Sequence, residues 1–164
     1  MSAEDLLGVI YGRRSIRRYE RKPIPDEVHK LILEAGRLAP SARNRQPWCF
    51  VVVRKPELKR KLIFSGWNSF IEDASAVIVG CGDSREKWAI VDVSIALQNM
   101  VIAAEALGLG SCWIGHFIEE EVKKALKIPD RFKVVAMITI GYPAERPEPP
   151  PKKPLEEIVR YETF

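Results

Sequence analysis

The sequence has few of the residues that build metal centres or disulfide frameworks. Its 164 residues include two histidines and three cysteines, and no two cysteines form a C-x-x-C pair. Cys49, Cys81 and Cys112 are an odd number, and each lies within an apolar segment. This pattern is typical of buried free thiols and disfavours a disulfide framework. We therefore predict neither a metal site nor a structural disulfide.

The sequence also lacks the features of an exported or membrane-bound chain. Its first residues, Met1 to Asp5, are acidic where a signal peptide would be basic. The apolar runs fall short of the ~20 residues that span a bilayer. Hydrophobic residues make up 46% of the chain, which is ordinary for a soluble globular protein. These observations predict a cytoplasmic protein that makes no membrane contact.

A glycine-rich dinucleotide turn is missing as well. The fingerprint G-x-G-x-x-G must follow a strand and open a helix. Gly108 and Gly110 instead follow a predicted helix, so they cannot serve this purpose. A site of that kind is therefore not expected.

What the sequence does have is a concentration of positive charge near its start. Residues 13–22 contain six cations and one anion, whereas the whole chain carries a net charge of only +4. Because clustered like charges repel each other, such a cluster favours an anionic ligand. The charge distribution therefore predicts an anion site in this stretch.

The order of residues in this basic stretch suits a phosphate. If residues 13–17 are extended, Arg13, Ser15 and Arg17 point to one side, and Arg14 and Ile16 to the other. Two guanidinium groups flanking a hydroxyl match a phosphate monoester. A solvated basic strand or a nucleic-acid patch is the alternative. No known nucleic-acid motif appears in the sequence, and we predict no nucleic-acid partner.

Hydrophobic periodicity predicts one domain over residues 1–164 that mixes helices and strands. Helices are expected at 3–11, 26–38, 55–63, 90–107 and 119–126, and strands at 48–53, 76–81, 111–115 and 134–140. The helix at 90–107 is apolar nearly all round and needs cover on every side, which indicates a partner subunit. Six prolines between residues 143 and 154 indicate an extended segment. We predict that residues 143–164 form an arm toward the partner.

Six motifs in order along the chain resemble those of the nitroreductase family of FMN-dependent oxidoreductases. They are Arg13-Arg14-Ser15-Ile16-Arg17, Pro40-Ser41-Ala42-Arg43-Asn44-Arg45-Gln46-Pro47-Trp48, Gln98-Asn99-Met100, Gly108-Leu109-Gly110 with Trp113-Ile114-Gly115, Ile140-Gly141-Tyr142-Pro143, and Lys152-Lys153-Pro154-Leu155-Glu156-Glu157-Ile158-Val159. The resemblance covers essentially the whole chain. It implies an α+β fold, with a mixed, mostly antiparallel sheet flanked by helices in an intertwined homodimer.

The resemblance also implies which residues hold FMN. The phosphate and ribityl chain are implied to be held by Arg13, Arg14, Ser15 and either Lys152 or Lys153. Arg17 is implied near the pyrimidine edge, where a cation favours the negative charge of the reduced flavin. Residues implied to come from the other subunit are Pro40, Ser41, Ala42, Asn44 and Gln46. Asn68 matches a flavin-edge amide, and a backbone N–H of Ile114 or Gly115 is implied to face the flavin N5.

The implied activity passes electrons from NAD(P)H through FMN to a small acceptor, such as a nitroaromatic or a quinone. No catalytic side chain is implied, because the flavin carries the chemistry. Larger members of the family have a helical insertion where this chain has only residues 82–87, so the cover over the substrate is expected to be absent or minimal. Alternative readings are a flavin-binding dimer that serves as a sensor or store, or another reductive reaction, such as dehalogenation or flavin supply.

Overall fold

The computed structural model describes residues 2–164, which form one five-stranded sheet with helices around it. The helices are α1 (Ala3–Gly12), α2 (Asp26–Arg37), α3 (Pro56–Arg60), α4 (Ala89–Ala106), α5 (Glu119–Leu126) and α6 (Leu155–Ile158). The strands are β1 (Tyr19–Glu20), β2 (Trp48–Val53), β3 (Ala76–Asp83), β4 (Gly110–Ile114) and β5 (Phe132–Pro143). Two 3₁₀ turns cover Ala42–Asn44 and Gly66–Ile71.

The longest strand, β5, organises the sheet. It pairs with β3 over most of its length, and β4 and β1 also pair with it. β2 pairs only with β3 and forms the outer edge. All these strand pairs are antiparallel. The predicted α+β class with a mostly antiparallel sheet is therefore confirmed.

The core divides into two clusters around the sheet. One contains Leu62, Ile71 and Met137, and the other joins Ile32 of α2 and Leu97 of α4 to the sheet. β3 is buried at all eight of its residues, which explains its continuous apolar sequence. This arrangement places α4 directly against the sheet.

Helix α4 is the most apolar helix of the described residues. By length and composition it could cross a membrane, with a mean hydropathy of 1.4 over 18 residues, although Asp92 and Glu105 interrupt its apolar sequence. Of those residues, 44% are buried inside the protein, as expected of a core helix. The cover is also one-sided, because Ile90, Val91 and Ile95 remain exposed.

The chain after β5 forms an exposed tail. Residues 146–164 are exposed along their whole length. Arg146 fixes the start of this tail by pairing with Glu105 of α4 at 2.7 Å and by donating to the Gly12 carbonyl at 3.0 Å. The short helix α6 was not predicted, because a single turn is too short to show helical periodicity.

Candidate active site

The basic segment after α1 is held against the sheet by its backbone. The Ile16 N–H donates to the Ser111 carbonyl of β4 at 2.9 Å, and Ser15 forms a parallel bridge with Ser111. The Ile16 side chain is buried against Gly110, where an added Cβ would lie 2.7 Å from Ile16 Cγ1. Gly110 is therefore required by this close approach, and the segment has a fixed position beside β4.

The cations of this segment meet the tail around a cavity of about 670 Å³, here called the tail cavity. Its lining residues are Ile10, Tyr11, Arg13, Arg14, Ser15, Arg17, Pro147, Glu148, Pro149, Pro150 and Lys152. Four of these side chains are cationic and one is a carboxylate. A serine hydroxyl among guanidinium groups gives donors suited to a phosphate monoester. The structure thus brings together four of the residues that the resemblance implied for the FMN phosphate and ribityl chain, with Arg17 beside them.

Arg14 lies on a different side from that expected of a regular strand. The alternation is correct for Ile16, which is buried, but Arg14 lines the tail cavity together with Arg13. Its guanidinium donates to the carbonyls of Tyr11 at 2.8 Å and Arg13 at 2.7 Å. These free carbonyls at the end of α1 attract a cation and turn the side chain back.

Arg17 stands at the other end of the segment. Its backbone N–H donates to the Glu145 carboxylate at 2.7 Å, and its guanidinium lies 5.8 Å from the ring centroid of Trp67. Ser15 is bridged to Ser111 near the start of β4, and two residues after Arg17 the chain pairs with β5, Tyr19 with Pro143. At the other end of β4, a Cβ added at Gly115 would meet no atom within 4 Å. The backbone there is open to a bound ring.

Two buried polar side chains form the floor beneath this segment. The Tyr19 hydroxyl donates to the Ile16 carbonyl at 2.7 Å and is hydrogen-bonded to Thr139 at 2.8 Å. Burial raises the pKa of Tyr19 above its usual value, and burial likewise raises the pKa of the Cys112 thiol. The Tyr19 hydroxyl and the Cys112 thiol therefore stay neutral, and the hydroxyl holds the segment through the Ile16 carbonyl. Sequence reasoning missed this floor, because residues far apart in the chain form it.

The loop at residues 40–46 is held by a buried carboxylate. Asp92, in the first turn of α4, is 4% exposed and accepts the Ala42 N–H at 3.2 and 3.3 Å. Ser41 Oγ accepts the Gln46 N–H at 2.9 Å. Positive φ angles occur at Arg43 (54°), Asn44 (54°) and Gln46 (50°), a conformation that is uncommon for side chains other than glycine. The loop is thus a built turn, and Asp92 is a positioning residue that sequence reasoning missed.

This loop does not reach the tail cavity of its own chain. Ala42 instead lines a second cavity of about 510 Å³, here called the loop cavity. Its other lining residues are Arg43, Arg45, Arg85, Glu86, Lys87, Trp88 and Asp92. Pro40, Asn44 and Gln46 are exposed on the surface. Two groups of residues implied for the same cofactor therefore lie on separate parts of one chain.

Asn68 and Lys153 are among the predicted residues that line neither cavity. Asn68 is fully buried, and its side-chain oxygen accepts the N–H groups of Phe64 and Ser65, both at 3.2 Å. Its side-chain nitrogen donates to the Leu62 carbonyl at 3.3 Å. These contacts shape the turn that carries Trp67. Lys153 is exposed and does not line the tail cavity, in contrast to its neighbour Lys152.

Comparisons with known proteins identify the class to which this fold and site belong. The chain matches the nitroreductase family over residues 10–74 and 65–142. The chain therefore belongs to the nitroreductase family, as its motifs indicated.

Particular relatives resemble it over nearly its whole length. A protein of Archaeoglobus fulgidus with the provisional name NADH dehydrogenase/NAD(P)H nitroreductase is 40% identical over 153 residues, covering 87% of each chain. The FMN reductase [NAD(P)H] of Bacillus subtilis is 31% identical, covering 98% of this chain and 74% of its own. The structure of the NADPH:FMN oxidoreductase of Vibrio harveyi, solved with NAD⁺, has a TM-score of 0.90 and 28% identity. It covers 98% of this chain and 78% of that protein.

Proposed function

We propose that this chain works as a homodimer that passes electrons from NAD(P)H to a small organic acceptor, such as a nitroaromatic or a quinone. As a member of the nitroreductase family, whose relatives include FMN reductases and an NADPH:FMN oxidoreductase, it is an FMN-dependent NAD(P)H oxidoreductase. The observation that carries the proposal is the tail cavity, where four cations and a serine hydroxyl converge. The loop cavity has the same number of cations, but its lining residues include two carboxylates and no hydroxyl group.

The chain's own residues fit FMN in a defined order. Arg13, Arg14, Ser15 and Lys152 would hold the phosphate and ribityl chain, with Arg17 toward the ring. FMN, when bound, supplies the hydride and electron chemistry. Arg17 would favour the negative charge of the reduced ring, and the neutral floor of Tyr19 and Cys112 would keep water and competing protons away.

A second copy of the chain is proposed to complete the site through the loop at residues 40–46. Exposed apolar side chains provide a surface for that contact: Leu6, Leu7, Ile10, Ile90, Val91, Ile95, Leu155, Ile158, Val159, Tyr161 and Phe164. Patches of this kind mark interaction surfaces. The exposed tail beyond Arg146 would act as the arm that crosses to the partner. Three free cysteines, two of them buried, fit a reducing, cytoplasmic location.

The choice of acceptor follows from the short connection between β3 and α4. Only residues 84–88 join these elements, and a covering helix of three turns needs about eleven residues. With little apolar surface to close over a substrate, we expect broad acceptor use and weak apparent affinity for small nitroaromatics. The half-exposed side chains of Trp67 and Trp88 are candidates for partial cover.

Supply of reduced flavin to another protein is a second candidate function. The same short connection favours it, because an uncovered site releases a ligand easily, and a relative from Bacillus subtilis is named an FMN reductase. Two further alternatives are a flavin-binding sensor or store, which would have no turnover, and a reductive dehalogenase, which would use a different acceptor.

An anaerobic titration tests the proposal. The purified protein is expected to be yellow, to release FMN rather than FAD on heating, and to bleach on addition of NAD(P)H. Nitroaromatics and quinones of increasing size should then restore the colour, whereas supply of flavin would require added free FMN. Protein that binds FMN but does not bleach with either nicotinamide donor would contradict the enzyme and support the store.

A further inference from the structure

The side chains that line the loop cavity carry more positive than negative charge. Four of the side chains that line it are cations, Arg43, Arg45, Arg85 and Lys87, against the two carboxylates Glu86 and Asp92. The ion pairs within it use only part of this charge. Arg45 pairs with Glu86 at 2.8 Å, and Arg85 pairs with Asp83 at 2.6 Å.

Two cations are left without a carboxylate. Within residues 2–164, Arg43 and Lys87 form no salt bridge. Arg43 is exposed and has a left-handed backbone, with φ of 54°. Asp92 holds the backbone of this turn through the Ala42 N–H, so the turn carries the Arg43 side chain at the cavity. The cavity therefore presents two cations that no carboxylate neutralises, which suits an anionic ligand.

An aromatic platform stands beside one of these cations. Trp88 is 52% exposed and lines the same cavity. The ammonium group of Lys87 lies 5.3 Å from the centroid of its ring. A ligand that stacks a flat ring on Trp88 would thus place a phosphate group, attached one sugar away, beside Lys87. Adenosine with a phosphate on the 2′ position has this chemistry.

We infer that the loop cavity binds the adenosine 2′-phosphate end of NADPH. The inference rests on the proposed function, because it assumes that the adjacent residues Ala42, Asn44 and Gln46 border the partner's flavin. The nicotinamide ring must lie on that flavin for hydride transfer, and the inference places the other end of the donor in the neighbouring loop cavity. NADH lacks the 2′-phosphate, and the protein is therefore expected to prefer NADPH.

Calorimetry on the FMN-loaded protein tests the cavity without turnover. Adenosine 2′,5′-bisphosphate is expected to bind about tenfold more tightly than adenosine 5′-monophosphate, as one charge-assisted contact allows. The double variant Arg43→Ala/Lys87→Ala should remove this difference. Lys61→Ala, which removes an exposed lysine that lines none of the described cavities, should leave it unchanged.

A second variant separates the ring from the phosphate. Trp88→Leu should weaken the binding of both nucleotides by a similar factor and leave the ratio of their dissociation constants unchanged. In anaerobic rapid mixing, the double variant should raise the dissociation constant for NADPH about tenfold, with little change for NADH and in the limiting rate of flavin reduction.

The outcomes distinguish this inference from the proposed function. Flavin reduced by both donors, with equal binding of the two nucleotides or an unchanged double variant, would overturn the NADPH site and leave the oxidoreductase intact. If the double variant loses FMN, the NADPH site is still tested by the ratio of the two nucleotide dissociation constants in the wild type and in Trp88→Leu. A bound flavin that neither donor reduces would overturn the proposed function instead.

Discussion

The tail cavity and the loop cavity both contain several cations, but different structural features hold them. Around the tail cavity, the basic segment is fixed by its pairing with β4, and Ile16 anchors it in the core. Around the loop cavity, a turn with three left-handed residues depends on one buried carboxylate, Asp92. The first site is formed by the sheet, and the second is attached to the end of a helix.

The separation of the two cavities supports the proposal that a second chain completes the site. The resemblance implies that residues 13–17 and residues 40–46 contact the same cofactor, yet within one chain they line different cavities. Exposed apolar residues on α1, α4 and the tail supply surface for a second copy. A dimer in which the loop of one chain meets the tail cavity of the other accounts for both observations.

Removal of residues 146–164 should have the largest effect. This change deletes Lys152 and the prolines of the tail cavity together with the exposed apolar residues of the arm. We expect a colourless protein that no longer forms a stable dimer, as judged by absorbance and light scattering. Removal of residues 162–164 alone should preserve both properties. A yellow, dimeric protein lacking 146–164 would show that the arm has neither role.

Arg13→Ala should weaken FMN binding strongly, because it removes a charged donor from the tail cavity. Loss of one such contact costs about 1.5–3 kcal/mol, which raises the dissociation constant about tenfold or more. Fluorescence titration of flavin-free protein measures this change, with Lys61→Ala as the control. Equal affinities in Arg13→Ala and the control would place the phosphate elsewhere.

Asp92→Asn should have a smaller effect through the loop. The change keeps the shape of the side chain but replaces a charged acceptor for the Ala42 N–H with a neutral one. We expect a several-fold loss of FMN affinity, corresponding to about 1 kcal/mol, and faster hydrogen exchange at Ala42. Glu120→Gln, on the exposed face of α5, is the matched control. Unchanged exchange at Ala42 would show that the loop does not depend on Asp92.

Of these substitutions, Arg17→Ala should change FMN binding least and the midpoint potential of the flavin most. If Arg17 lies near the pyrimidine edge, it favours the reduced, negatively charged ring, by about 1.5 kcal/mol for a side chain as exposed as this one. The midpoint potential should therefore fall in Arg17→Ala and stay nearly constant in Arg13→Ala. Spectroelectrochemistry measures both values. Equal potentials in wild type and Arg17→Ala would mean that its contact with Trp67 is purely structural.

The sequence predicted the elements with strong periodicity and the basic segment, because both are local features of the chain. It did not predict the two-residue strand β1, which is defined only by its pairing with β5. Asp92 was missed because an acidic residue in the first turn of a helix is ordinary on electrostatic grounds. Its role follows from a contact with Ala42, fifty residues away. The orientation of Arg14 depends on the carbonyls of α1, which strand alternation ignores.

Mixed dimers test most directly whether two chains complete each site. Arg13→Glu should abolish binding at the tail cavity, and Ala42→Trp should block the loop contact, so each homodimer should be colourless. A dimer of one chain of each kind, purified through two different tags, would contain one intact site and one doubly damaged site. We predict about one FMN per mixed dimer. A colourless mixed dimer would contradict the account, because it would mean that both regions serve the cofactor within a single chain.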